Sequence, residues 1–250
     1  MSYNQTFYED NRRWTQASAK KISGFVVDFL GLPRRVVDIG CGTGIWLKEF
    51  SDRGSSDVQG FDGDWLKDQE LDFERSAFDF RELDKPLGLD LEADLAICLE
   101  VAEHLPEARA DSLVAELVGI SDCVLFSAAI PGQGGNQHIN EQWQSYWVKK
   151  FAANGLVPCD VLRPLIWEDE HVVAWYRQNM MLFLPEERAK SLVAEKNLVD
   201  WGGSRMVHPI TFDYHLERLH KEIEKVPFRT RGVSHALNLL FKAVAGRFGK

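Results

Sequence analysis

The sequence has few cysteines, no long apolar segment and no excess of positive charge. None of its four cysteines forms a C-x-x-C pair, so we expect reduced, mostly buried thiols. The longest uncharged stretch, 123–140, contains Pro131 and three glycines and ends in polar residues, which is not the composition of a membrane span. The first residues lack the basic-then-apolar pattern of a secretory signal. These absences together predict a cytoplasmic protein without a transmembrane segment.

Acidic residues outnumber basic ones over most of the chain. There are 38 acidic and 29 basic residues, a formal net charge of -9, so nucleic acid is not the expected partner. Residues 225–250 hold six basic residues and no acidic ones, which leaves 23 basic against 38 acidic residues before them. Within this tail, 233–248 has the pattern of a basic amphipathic helix. We expect it to dock on its own domain or to form a homodimer contact, with a membrane surface or nucleic acid as alternatives.

Predicted strands and helices alternate through the middle of the chain. Short apolar runs predict strands at 36–39, 58–61, 76–80, 93–99, 123–129, 161–167 and 180–184. Apolar residues at helical spacing predict helices at 15–30, 45–53, 106–118 and 141–154. The alternation predicts an α/β fold with a parallel, doubly wound sheet, and the last two strands predict an antiparallel edge. We divide the chain into an N-terminal lid and helix (1–34), a core domain (35–185) and a C-terminal helical appendage (186–250).

A glycine-rich turn joins the first predicted strand to the next helix. Residues 38–44 read D-x-G-x-G-x-G, with Asp38 ahead of Gly40, Gly42 and Gly44. The turn lacks the Lys-Ser/Thr of a nucleotide-triphosphate loop, and its spacing is not the dinucleotide G-x-G-x-x-G. It follows the carboxyl end of a strand, where open α/β sheets bind ligands. The acid at 38 would repel a pyrophosphate and attract a cation.

These residues resemble motif I of the class I methyltransferases that use S-adenosylmethionine (SAM). The resemblance implies a Rossmann-like sheet of seven strands, with the last strand inserted antiparallel, and SAM as the cofactor. It also implies that Asp62, at the end of the second strand, binds the ribose hydroxyls, and that Asp79 with Phe80 meets the adenine, with Asp84 as a rival. The predicted cofactor contacts are Asp38, Gly40, Cys41, Gly42, Thr43, Gly44, Trp46, Asp62, Gly63, Asp79, Phe80, Leu99 and Glu100.

Two aromatic segments allow two interpretations each. Four aromatic residues precede the first predicted helix: Tyr3, Phe7, Tyr8 and Trp14. They would form a lid over the cofactor or simply pack as an arm. In 175–179, Arg177 stands beside two aromatic residues, where it would clamp an anionic or planar substrate or pack at the sheet edge.

Carboxylate and imidazole side chains follow the fourth and fifth predicted strands. Glu100, Glu103 and His104 stand at i, i+3 and i+4, so one helical turn would point all three the same way. His138 follows the fifth strand, which ends at the same edge of the sheet. Such a group is typical of a divalent metal site, and without a thiolate it favours Mg²⁺ or Mn²⁺.

This E-x-x-E-H segment with a later histidine resembles two families of metal-dependent methyltransferases. One comprises the small-RNA 3′-terminal 2′-O-methyltransferases, and the other the catechol-type O-methyltransferases of the ubiquinone pathway. The resemblance makes Glu100, Glu103, His104 and His138 the metal ligands. The strings E-V-A-E-H-L-P, F-S-A-A-I-P-G-Q-G-G, H-I-N-E-Q-W and W-Y-R-Q-N also resemble a large group of bacterial methyltransferases of mostly unassigned substrate.

The sequence therefore predicts a SAM-dependent O-methyltransferase acting on a hydroxyl of a small molecule or sugar-containing metabolite, with metal assistance. One alternative is an RNA 3′-terminal ribose 2′-O-methyltransferase, for which only the basic tail offers a binding surface. Another is a metal-free N- or O-methyltransferase with a histidine base. A non-catalytic SAM-binding protein is the third. The predicted catalytic residues are His138, His104 and Glu100.

Overall fold

The computed structural model describes the backbone of residues 5–225 and the side chains of residues 12–223. The strands are β1 (Arg35–Ile39), β2 (Asp57–Asp62), β3 (Phe78–Phe80), β4 (Leu95–Leu99), β5 (Val124–Ser127), β6 (Val157–Cys159) and β7 (Met181–Leu184). The helices are α1 (Gln5–Leu30), α2 (Ile45–Asp52), α3 (Ala110–Ile120), α4 (Gln144–Ala153), α5 (Leu162–Ile166), α6 (Ala174–Asn179), α7 (Glu186–Lys196) and α8 (Pro209–Lys225). The amphipathic segment 233–248, Tyr3, and the side chains of Phe7 and Tyr8 lie outside the described residues.

All seven strands form one sheet in the order β3-β2-β1-β4-β5-β7-β6. The first five are parallel, while β7 runs antiparallel to both β5 and β6. Strand order reverses between β1 and β4, and the carboxyl ends of these two strands open a crevice at that point. The structure thus confirms the predicted doubly wound sheet with its antiparallel edge.

Helices cover both faces of the sheet, because successive strand residues point to opposite sides. Within β1, Val36 packs with the apolar residues of α1, α2 and α7, whereas Val37 packs with those of α3 and α4. Both side chains are fully buried. A strand with two buried faces needs apolar residues at successive positions, as this sequence has. The layers hold the strand ends, and the loops that follow them, in fixed positions.

One predicted strand is wrong. Residues 161–167 were expected to be extended, but α5 occupies most of this run, and β6 lies earlier, at Val157–Cys159. A short apolar run fits a buried helix as well as a buried strand, so periodicity could not decide. Arg163 in the middle of α5 is fully buried and forms an ion pair with Asp160, which also is fully buried.

Two predictions from composition can be compared with the structure. All four cysteines are free and buried, as expected. No helix among residues 5–225 has both the length and the apolar character needed to cross a membrane.

Candidate active site

The loop after β1 has three glycines in the left-handed region, with φ of 81° at Gly40, 53° at Gly42 and 91° at Gly44. At Gly40 a side chain is also excluded by space, since a Cβ there would lie 2.2 Å from Cγ2 of Val101. At Gly42 nothing lies within 4 Å of the Cβ position. The middle glycine therefore leaves an open face of backbone, against which a ligand can lie closely.

Asp62, the last residue of β2, binds this loop from the side. Its Oδ2 accepts the N–H of Gly42 at 2.8 Å, and its Oδ1 accepts the N–H of Gly63 at 2.7 Å and Nε1–H of Trp65 at 2.9 Å. Burial raises the pKa of the Asp62 carboxyl, although these three hydrogen bonds oppose the rise. In this structure Asp62, the residue predicted to bind the ribose, fixes the shape of the glycine loop.

Asp38 lies beside the same loop but, unlike Asp62, has a carboxylate oxygen without a hydrogen-bond donor among the described residues. Its side chain is buried, and Oδ2 has no hydrogen-bond partner among the described residues. Burial raises the pKa of its carboxyl well above the ordinary value, and the nearby charge of Asp62 adds to the rise. A buried carboxylate with an unpaired oxygen is costly, so the site calls for a proton or a cation.

The other predicted cofactor residues lie at the same edge in different surroundings. Trp46 is buried in the core, edge-on to Tyr176 at 5.6 Å between ring centroids. Asp79 forms an ion pair with Arg81 at 2.7 Å, and the guanidinium of Arg75 lies 5.1 Å from the ring of Phe80. Cys41 and Leu99 are buried at the ends of β1 and β4.

Helix α1 reaches the glycine loop through an acid that the sequence reasoning missed. Nε of Arg12 donates to Asp72 at 2.8 Å, and the hydroxyl of Thr43 donates to the same carboxylate at 2.5 Å. This contact closes one side of the loop with the N-terminal helix. Trp14, for which both a lid and simple packing were expected, is about half exposed, at 49%.

Glu100 lies outside the 3₁₀ turn that carries Glu103 and His104, although its carboxylate lies beside that of Glu103. Glu100 has a φ of 55°, and the 3₁₀ turn begins only at Ala102. Its carboxylate accepts Nε2–H of Gln133 at 2.9 Å and Nδ2–H of Asn179 at 3.2 Å. Burial raises the pKa of Glu100, and these amides oppose the rise. The three residues therefore do not share one helical turn, the condition under which all three would point the same way.

Glu103, His104 and His138 do come together. One potential ligand atom from each lies within 4.8 Å of the others, and the two imidazoles meet edge to face at 4.8 Å between centroids. Glu103 is completely buried, and neither carboxylate oxygen has a partner among the described residues. Burial, and then the charge of Glu100, raises the pKa of Glu103 well above its usual range. Burial, and then His138, lowers the pKa of His104.

Glu141 binds the glycine-rich loop after β5. Oε2 accepts the N–H of Gly132 at 2.6 Å, and Oε1 accepts the N–H of Gly134 at 2.7 Å. Oε1 also lies 3.1 Å from Nδ1 of His138. Glu141 was not among the predicted site residues, although its position three residues after His138 was a usable signal.

Helix α6 contributes amides to the site and no clamp. The Arg177 side chain is buried, and Nη1 donates to the carbonyl of Trp167 at 3.4 Å, as expected for packing at the sheet edge. Asn179 instead binds both Glu100 and Gln133, and Gln178 binds Gln133 at 3.0 Å. These amides fix the direction of Glu100, and nothing local to the E-x-x-E-H segment indicated them.

Residues 11–114 match a family model described as a methyltransferase domain. The chain therefore contains a methyltransferase domain. The matched segment includes the glycine loop, Asp62, Glu103 and His104, and it ends before His138. No protein of curated function matches the sequence.

Solved structures of methyltransferases are similar to this chain at low identity. Magnesium protoporphyrin IX methyltransferase from Synechocystis PCC 6803, with bound SAM, is 17% identical over 74% of this chain and 86% of that chain, with a TM-score of 0.49. An amino pentose methyltransferase from Micromonospora echinaspora is 14% identical over 73% and 98%, with a TM-score of 0.49. The methyltransferase domain of bacterial CtHen1-C is 20% identical over 69% and 98%, with a TM-score of 0.46.

Proposed function

We propose that this enzyme transfers the methyl group of SAM to a hydroxyl oxygen of a small-molecule or sugar-containing acceptor, assisted by a divalent cation. Glu103, His104 and His138 would hold the cation. The observation that carries the proposal is the fully buried carboxylate of Glu103, whose oxygens accept no well-formed hydrogen bond among the described residues and which lies beside the carboxylate of Glu100 and within 4.8 Å of two imidazoles. Such a group needs a proton or a cation to offset its desolvation.

The donor atoms fit a transition-metal ion better than Mg²⁺. With Glu100 bound by amides, the set is one carboxylate and two imidazoles. Imidazole nitrogen suits the first-row divalent ions, so Mn²⁺ is favoured over Mg²⁺. The three ligand atoms lie within 4.8 Å of one another, so small side-chain rotations would let all three hold one ion. When bound, the ion would lower the pKa of the acceptor hydroxyl and orient it.

The loop after β1 would bind the cofactor. SAM carries a sulfonium and an ammonium group, and either cation near Asp38 would favour the ionised form of its buried carboxyl. The open backbone face at Gly42 allows close approach, and Oδ2 of Asp62, which accepts the N–H of Gly42, has a second lone pair for a ribose hydroxyl. The transfer is an in-line displacement, so its rate depends on how well this loop and the acceptor site align the two reactants.

A metal-free reaction is the second candidate, and one contact favours it. Glu141 lies 3.1 Å from Nδ1 of His138, and a carboxylate behind an imidazole is the arrangement of a general base. In that case His138 would take the hydroxyl or amine proton of the acceptor directly. The RNA-end alternative depends on the basic tail, and no observation on the described residues favours it.

Calorimetric titration of Mn²⁺ and Mg²⁺ into ligand-free protein tests the metal. We expect Mn²⁺ to bind more tightly than Mg²⁺, and binding to be lost in Glu103→Gln and in His138→Ala. His171→Ala is the matched control, because His171 is an exposed histidine paired with Asp169 outside the cluster. If wild-type protein binds neither ion, metal assistance is wrong and the histidine base remains.

Methyl transfer from labelled SAM to catechols, glycosides and the matching amines tests the acceptor atom. We expect transfer to hydroxyls, with a loss of at least about tenfold in Glu103→Gln. Transfer to the amines alone would contradict the O-methyltransferase assignment.

A further inference from the structure

We infer that Glu141 is a positioning residue that fixes the tautomer of His138, so that Nδ1 carries the proton and the Nε2 lone pair is left for the reaction. The catalytic consequence rests on the proposed function. The tautomer itself follows from contacts in the ligand-free protein.

The first step concerns the proton count at Glu141. Its two oxygens accept the N–H groups of Gly132 and Gly134, and backbone N–H groups can only donate. The carboxylate is therefore an acceptor, and Nδ1 of His138, which lies at 3.1 Å from Oε1, must supply an N–H to that contact.

The second step concerns the other ring nitrogen. A Cβ on Gly135 would lie only 2.1 Å from Nε2 of His138, so the imidazole occupies space that a glycine alone leaves free. The backbone just after His138 is tied to Glu103, whose carbonyl accepts the N–H groups of Ile139 at 2.9 Å and Asn140 at 3.0 Å. The histidine is thus held between the glycine loop and the turn that carries Glu103.

The third step is the chemical consequence. A neutral imidazole with its proton on Nδ1 has its lone pair on Nε2, where it can accept a proton or bind a cation. Without Glu141 the proton can move to Nε2, which would then present a donor. Loss of such a carboxylate behind a ligating histidine typically weakens metal binding by about 10–100-fold. The same reversal would disable His138 as a base.

The test is the ¹⁵N spectrum of the histidine rings in ligand-free protein, at a pH where His138 is neutral. We expect the pattern of an Nδ1–H imidazole for His138 in the wild type and of an Nε2–H imidazole in Glu141→Ala. Glu170→Ala, which removes an exposed acid elsewhere, is the control and should leave His138 unchanged. Mn²⁺ affinity should fall by about 10–100-fold in Glu141→Ala, with SAM affinity retained.

The outcomes separate this inference from the proposed function. An Nε2–H pattern in the wild type overturns it even if Glu141→Ala does not fold, and so does an Nδ1–H pattern that survives in Glu141→Ala. If the wild type shows the Nδ1–H pattern but binds no metal, metal assistance fails and the role of Glu141 stands.

Discussion

Two glycine-rich loops lie at the same edge of the sheet, 40–44 after β1 and 132–135 after β5. Each is bound by a carboxylate: Asp62 accepts one backbone N–H of the first loop, that of Gly42, and Glu141 accepts two of the second, those of Gly132 and Gly134. The first loop follows a motif that is contiguous in sequence. The second follows no comparable motif. The comparison shows that a carboxylate bound to backbone N–H groups holds both loops, although only the first loop has a recognisable sequence motif.

Next to each loop lies a second buried acid, which does not bind the loop. Asp38 beside the first loop and Glu103 beside the second each have unpaired oxygen atoms among the described residues. We name Asp62 and Glu141 the loop-binding carboxylates, and Asp38 and Glu103 the unpaired carboxylates. The loop-binding carboxylates stabilise the fold, whereas the unpaired ones cost stability until a ligand supplies charge.

The largest expected effect is on stability, and it should distinguish two glycines of the first loop, Gly40 and Gly42. Gly40→Ala places a Cβ 2.2 Å from Val101 at a φ of 81°, so strain and overpacking should together destabilise the protein by about 3 kcal/mol or more. Gly42→Ala meets no atom within 4 Å and should cost about 1 kcal/mol, yet it fills the face where SAM would lie. Thermal unfolding and SAM calorimetry measure both, and equal destabilisation by the two variants would contradict this account.

Substitution by asparagine should lower the stability of the protein at the loop-binding carboxylate Asp62 and raise it at the unpaired carboxylate Asp38. Asp62→Asn replaces one acceptor oxygen by an NH₂ group that faces a backbone N–H, so the protein should lose about 1–3 kcal/mol of stability. Asp38→Asn removes an unpaired charge, so the ligand-free protein should gain about 1 kcal/mol, while SAM affinity falls by about tenfold or more. Melting temperatures with and without SAM give both numbers. A loss of stability in ligand-free Asp38→Asn would show that its carboxylate is satisfied.

The unpaired carboxylates should also make stability depend on pH. Burial is the first cause that raises the pKa values of Asp38 and Glu103, from ordinary values of 3.8 and 4.5. Above about pH 4 the native state then binds more protons than the unfolded state, so stability falls as pH rises through the raised pKa values. The advantage of a Asp38→Asn, Glu103→Gln double variant should be small at pH 4 and grow toward pH 8. Unfolding of ligand-free protein across this range measures it, and an advantage that does not vary with pH would be the contrary result.

The sequence predicted the cofactor side of this site well because its information is local. The strand, the acid and the glycines of 36–44 are contiguous, and Asp62 follows after one further helix and strand. The direction of Glu100, in contrast, depends on Gln133 and on Asn179, which is 79 positions away. Tertiary contacts also decided that α5 is a helix, because the apolar run itself fits either structure.

Glu141 shows what a closer reading could have found. A histidine and an acid three residues apart, within a stretch containing three glycines, are visible in the sequence. Their spacing does not reveal that the loop turns back so that both glycine N–H groups and the imidazole converge on one carboxylate. That geometry depends on the turn after β5, which only the folded chain supplies.

The smallest expected effect belongs to a surface carboxylate, which tests whether the loss of a negative charge alone destabilises this protein. Asp122 is an exposed acid, and its carboxylate pairs with Arg188 at 3.0 Å on the surface. Because an exposed ion pair contributes little, Asp122→Asn should change stability by less than about 0.5 kcal/mol. It should leave SAM affinity and the pH dependence unchanged. A change as large as that of Asp62→Asn would mean that the loss of any carboxylate, and not its hydrogen bonds to a glycine loop, is what destabilises this protein.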